Sequence, residues 1–180
     1  MVHNYVCNIV CVGDVDSGKT TLVKSFINDG NHQDNVGQLT VGVEFQTKTV
    51  STLERDVKLL IWDTAGHERF RAVTSNYIKK ADIGVIIYDA NSKTSFDYAT
   101  QVWCKQFKEF NPTAQLVLVA NNNTSNINVS YEQRKKLQQE LGVVFFEFHG
   151  IDALTSKRLF EYCAKDYLTT EQIRHNGDVV

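Results

Sequence analysis

At 180 residues the chain suits one compact domain, since two would each be unusually small. Apolar residues make up 42% and charged residues 22%, enough to bury a core and stay in solution. A net charge of −2 gives no global attraction to nucleic acid or to an anionic membrane.

YVCNIVCV (5–12) reads as a short buried strand ending at Gly13. TTLVKSFI (20–27) follows as a helix with Leu22, Phe26 and Ile27 on one face. VGVEFQTKTVST and VKLLIWD alternate and are separated only by LERD, so they should pair as a hairpin. IGVIIYD and QLVLVA are unbroken apolar runs, which suits parallel strands covered on both faces. TSFDYATQVWCKQFKEF (94–110) lies between them with helical periodicity and stops at Asn111-Pro112. VSYEQRKKLQQELG is a charged helix ending on Gly142, VVFFEF a last strand and ALTSKRLFEYCAKDYL (153–168) a last helix.

The order β-α-β-β-α-β-α-β-α-β-α predicts an α/β fold. It is a three-layer, doubly wound, six-stranded, mostly parallel sheet with one antiparallel strand, and ligands belong at the carboxyl ends of its strands. One domain over 1–170 and a short C-terminal tail over 171–180 are expected. Cys7, Cys11, Cys104 and Cys163 show no ligand-like spacing and are expected as free thiols. Cys7 and Cys11 share strand parity, about 13 Å apart, too far to bridge. The sequence has no signal-peptide pattern, no membrane-spanning run and no cysteine to prenylate near its end, so a cytoplasmic chain without a direct membrane anchor is expected, with recruitment to membranes through partners or a C-terminal segment absent here as the routes left open.

GDVDSGKT (13–20) fits G-x-x-x-x-G-K-[ST] between a strand and a helix, the context that motif requires. Its glycines let backbone N–H groups close around phosphate oxygens, and the helix N-terminus adds partial positive charge. Gly13, Asp16, Ser17, Gly18, Lys19, Thr20 and Thr21 form the expected cradle, with Lys19 on the outer phosphates and the Thr20 hydroxyl on Mg²⁺. DTAG (63–66) follows a strand where a second metal contact and a γ-phosphate sensor belong. Asp63 would hold the metal through water, and Gly66 would offer its N–H to the phosphate. Thr40 is expected to join both.

GDVDSGKT, TVGVEF, KLLIWDTAGHERFR, IIYDANSKTSF, VANNNT and FFEFHGID together resemble the Ras superfamily, and VGVEF and IWDTAG…ERFR resemble its Rab family in particular. The resemblance implies a guanine-nucleotide switch of vesicle trafficking that binds GTP or GDP with Mg²⁺. It implies effector and regulatory proteins at switch regions 31–45 and 63–77. Phe45, Trp62 and Tyr77 fall where Rabs show an aromatic triad to effectors; burial of all three in the core is the other reading.

The departures from the family bear on rate and selectivity. Val15 stands where glycine or serine is usual and should crowd the γ-phosphate and the attacking water. Asp16 replaces a glycine and sets a carboxylate beside the phosphates. His67 replaces the glutamine that orients the water; imidazole offers one acceptor, and only when neutral. Catalysis is therefore assigned to Gly66, His67 and Val15, with slow hydrolysis expected unless a partner positions His67. Asn121 keeps the first position of the base-reading N-K-x-D, but Asn122 replaces its lysine and Thr124 its aspartate. His149, Gly150 and Ile151 stand for S-A-K, and the Gly150 N–H is expected to reach guanine O6. No aromatic lies between Phe26 and Phe45, which leaves His32 as the nearest residue to stack on a base. A pseudo-GTPase acting as an interaction module is the alternative; intact Lys19, Thr20, Thr40 and Asp63 favour the switch.

Overall fold

The strand Tyr5–Gly13 (β1) lies at the centre of the molecule because both of its parities are apolar. Cys7, Ile9 and Cys11 pack into one core, and Val10 and Val12 into the other. A computed structural model describes residues 5–31, 40–122 and 129–177 of the chain. The remaining strands are Val43–Ser51 (β2), Asp56–Thr64 (β3), Ile83–Asp89 (β4), Gln115–Asn121 (β5) and Val144–Phe148 (β6). They form one sheet in the order β2-β3-β1-β4-β5-β6, in which only β2 runs antiparallel, paired with β3 as the expected hairpin.

Lys19–Ile27 (α1) and Ala153–Gly177 (α6) cover one face. Leu22, Phe26, Leu159, Phe160, Cys163 and Leu168 there meet Cys7, Ile9 and Cys11, and the Phe26 and Phe160 rings stack at 4.3 Å. Arg71–Ile78 (α2), Lys93–Tyr98 (α3), Cys104–Phe110 (α4) and Tyr131–Leu141 (α5) cover the other. Ile78, Phe96, Trp103 and Phe107 are buried on that side, with Leu137 and Leu141 of α5 packed against them. All four cysteines are buried and free, as their spacing implied.

The structure differs from the periodicity in two places. The helix read as continuous over 94–110 contains a π-helical turn, Ala99–Trp103, between α3 and α4. Beyond it Phe107 packs onto Gly84 of β4, where even a methyl group would lie 2.4 Å from the ring. The helix read as ending at Leu168 continues to Gly177, through residues expected to begin a tail. Beyond Leu168, Thr170 accepts a hydrogen bond from Gln115 (3.3 Å) and Gln172 donates one to Glu54 (2.7 Å), which tie the added turns to the sheet. No helix among the described residues is long and apolar enough to cross a membrane.

No residue of α5 is fully buried, so its ends matter more than its face. Ser130 Oγ accepts from the Gln133 N–H (3.2 Å), Gln133 Oε1 accepts from the Ser130 N–H (2.9 Å), and Gly142 closes the helix at φ 65°. Ser130→Ala should therefore cost about 1 kcal/mol of folding stability by urea titration. An unchanged midpoint would show that the cap contributes nothing.

Candidate functional site

At the end of β1 the chain leaves the sheet between β3 and β4, its two neighbours. Gly13 makes this turn at φ 152°; a methyl group there would lie 2.1 Å from the Ile87 carbonyl, so only glycine fits. Asp16 adopts a left-handed φ of 58°, which its short polar side chain tolerates at the position the family gives to glycine. Gly18 opens α1 without a side-chain cap, leaving the first-turn N–H groups available to an anion. Lys19 is buried; its Nζ donates to the Asp14 carbonyl and, at 3.4 Å, to Ser17 Oγ. Burial pushes the Lys19 ammonium below its ordinary pKa, against the pull of Asp63 and Asp14. Asp14, which carries no motif signal, also takes the Val15 N–H on its Oδ1 at 2.8 Å. Thr21 is exposed on the first turn of α1.

Thr20, Thr40 and Asp63 come together from three elements distant in sequence. Thr20 Oγ1 donates to Asp63 Oδ2 at 2.7 Å and lies 2.8 Å from Thr40 Oγ1. Asp63 is 1% exposed, and its second oxygen, Oδ1, is buried without a hydrogen-bond partner. Burial raises its pKa to about 6, with the Thr20 hydrogen bond and then Lys19 opposing the shift. Two hydroxyls and an orphaned carboxylate oxygen suit a hard cation such as Mg²⁺. No group of three His, Cys, Asp or Glu among the described residues could hold a metal alone. The donor set fits Mg²⁺ completed by phosphate and water oxygens, and does not fit a protein-only metal cage.

Gly66 abuts the same loop. A methyl group on it would lie 2.6 Å from the Val15 nitrogen and from the Asp14 carbonyl carbon. The Ala65 N–H donates to the Gly42 carbonyl (2.8 Å), tying this turn to the chain just after Thr40. Val15 is 38% exposed, at the seam between the two loops. His67 is exposed, and its Nδ1 accepts from the Arg69 N–H at 3.3 Å.

Asn121 ends β5, 5% exposed, and donates through Nδ2 to the Ser17 carbonyl at 3.1 Å. This brace joins the β5 loop to the Gly13–Thr20 turn, and a methyl group on Gly18 would strike both Asn121 Nδ2 (2.6 Å) and Ile151 Cδ1 (2.8 Å). Asn122 is buried, with its Nδ2 3.4 Å from His149 Nδ1. The Gly150 N–H, expected to reach guanine O6, donates to the Asn122 carbonyl at 3.1 Å, and the Asn122 N–H pairs with the Phe148 carbonyl at 2.7 Å. Thr124 and His32 lie outside the described residues.

Phe45 and Trp62 are directly opposed across the β2–β3 pair, with ring centroids 4.4 Å apart, and Tyr77 of α2 lies 4.8 Å from Trp62. Phe45 is 47% exposed, while Trp62 and Tyr77 are half-buried against the core under α2–α5. The three rings form a row emerging at the surface, so burial of all three is excluded.

A doubly wound sheet with a G-x-x-x-x-G-K-T loop at the end of its central strand defines a P-loop nucleotide-binding protein. The Ras family model matches residues 8–169. Among similar proteins, Ras-related protein RABA5e of Arabidopsis thaliana is 36% identical over 180 residues, covering 98% of this chain and 81% of that one. Ras-related protein Rab-3 of Caenorhabditis elegans is 35% identical over 161 residues, 88% of this chain and 72% of its own. Ras-related protein RIC1 of rice (Oryza sativa subsp. japonica) is 33% identical, over 88% of this chain and 78% of its own. The chain belongs to the Ras family of small GTPases, on its Rab branch. Membership makes it a GTP-binding switch of the kind that serves vesicle trafficking.

Proposed function

We propose that this chain is a Rab-type switch that binds Mg-GTP through residues 13–21, hydrolyses it slowly and reads the guanine base weakly. The observation that carries the reading is the convergence of Thr20, Thr40 and Asp63 beside buried Lys19. Mg²⁺ bound there would neutralise charge on the outer phosphates. Lys19 would hold the same phosphates, Thr40 and Gly66 would sense the γ-phosphate, and Asn121 would brace the loop that cradles them. Slow hydrolysis is supported by Val15 at the seam with Gly66 and by the occupied acceptor of His67. Weak base reading is supported by the Gly150 N–H already spent on Asn122. Phe45, Trp62 and Tyr77 serve as the effector surface, within and between the segments 31–45 and 63–77 that respond to nucleotide.

The test has two arms. Native mass spectrometry of the protein with added Mg²⁺ and GTP should find the nucleotide bound. Hydrogen exchange around 31–41 and 65–76 should be slower with a GTP analogue than with GDP, because the γ-phosphate orders both segments. Identical exchange in the two states would favour an interaction module over a switch.

A further inference from the structure

The last turn of α1 leaves carbonyls that its own helix cannot satisfy. Lys48 of β2 adds a partner: its Nζ donates to the Phe26 carbonyl at 2.7 Å, which also takes the Asp29 N–H at 3.4 Å, and to the Ile27 carbonyl at 3.3 Å. The same ammonium pairs with Asp29 Oδ1 at 2.6 Å and sits 4.9 Å over the Phe26 ring. Its side chain is 25% exposed, so the head group is held among these partners on a half-buried stem. A cation at a helix C-terminus also meets the favourable end of the dipole.

What Lys48 holds is placed to matter. Asp29 has a left-handed φ of 52° and Gly30 a φ of 79°, and the Gly30 N–H closes back on the Ser25 carbonyl at 2.9 Å. This bend presses Gly30 onto the start of α6, where a methyl group on it would lie 2.6 Å from Ala153 Cβ. Ala153 follows the Gly150–Ile151 turn, whose members contact Asn122 and Gly18. Residues 28–31, 150–153, 121–122 and 17–18 are thus one packed collar beside the Gly13–Thr20 loop, and α1 itself begins at Lys19 in that loop.

We propose that Lys48 is a positioning residue for nucleotide retention: by clamping the end of α1 and Asp29, it keeps the 28–31 bend seated on the collar. The inference rests on the nucleotide-switch reading above. It separates holding the nucleotide from cleaving it, since Lys48 is anchored to the far end of α1 and touches neither Gly66 nor His67.

Fluorescent GDP and GTP dissociation from the Mg²⁺-loaded protein tests this. Lys48→Met should speed dissociation about tenfold, the order expected when hydrogen bonds to a charged group are lost. Lys48→Arg, which keeps the charge and donors, should restore most of the retention. Gly30→Ala leaves Lys48 intact but unseats the bend, and should speed dissociation as well. Single-turnover cleavage of GTP already bound should be unchanged in all three. Unchanged dissociation in Lys48→Met, with or without a lower Tm, would overturn the proposal, as would a slowed cleavage step. A wild-type chain that binds no GTP or GDP would instead overturn the switch reading on which the proposal stands.

Discussion

Replacing Val15 by serine together with His67 by glutamine should raise single-turnover GTP hydrolysis at least tenfold, about 1.4 kcal/mol of barrier. The two residues act at one place. Gly66 approaches the Asp14–Val15 peptide so closely that no Cβ fits between them, and His67 is the next residue. On the proposed reading the attacking water and the γ-phosphate lie beside this seam, and Val15 there is 38% exposed. His67 Nδ1 already accepts from the Arg69 N–H, a bond that competes with its acting as acceptor for the water. Glutamine supplies a carbonyl oxygen and an N–H on one flexible stem, and serine returns the space that valine fills. His67→Gln alone should show little, because groups acting on one water are not additive. The measurement is phosphate release from GTP-loaded protein. A rate unchanged in the double variant, with nucleotide demonstrably bound, would remove this account of slow turnover.

The local features of the site were legible, and the long-range ones were not. GDVDSGKT carries its meaning in adjacent residues, and β1 announces burial on both faces through apolar residues at both parities. Thr20, Thr40 and Asp63 could be brought together on paper because each sits at a motif position. Gly84 could not be foreseen as the seat of Phe107, since nothing near residue 84 records a ring arriving from α4. Lys48 reads as one polar residue of an alternating strand, and its partners at Phe26, Ile27 and Asp29 appear only once β2 lies beside α1. The Gly150 N–H is the same kind of case. A backbone donor has no residue identity to read, so its loss to the Asn122 carbonyl leaves no trace in the sequence. The row of Phe45, Trp62 and Tyr77 was half legible: strand register sets Phe45 opposite Trp62, but exposure depends on what covers β2, and Phe45 is left 47% exposed.

Thr124→Asp should increase the preference for GTP over ATP by about two orders of magnitude. In the family an aspartate at this position accepts two hydrogen bonds from guanine and would leave its buried charge unpaired against adenine, the arrangement that rejects a wrong partner most strongly. A hydrogen bond to a charged group is worth ~1.5–3 kcal/mol, so a pair corresponds to roughly 10²–10⁴ in affinity. The present chain has no aspartate between Asp97 and Asp152 to replace it. On the proposed reading Gly150 offers no replacement, its N–H being paired with the Asn122 carbonyl at 3.1 Å. What remains is Asn121, whose amide donates once to the Ser17 carbonyl and has a second hydrogen to offer. A single donor is satisfied by N7, which guanine and adenine share, so it favours purines without choosing between them. Phosphate binding by residues 13–21 is indifferent to the base. The unmodified chain should therefore bind GTP at micromolar level, with ATP and XTP following far more closely than in an ordinary Rab. In Thr124→Asp, GTP should tighten while XTP, whose 2-oxo group faces the new carboxylate, should weaken. Calorimetric titration of the three nucleotides into both proteins decides it. Tight, strictly guanine-selective binding by the unmodified chain would mean that another residue reads the base.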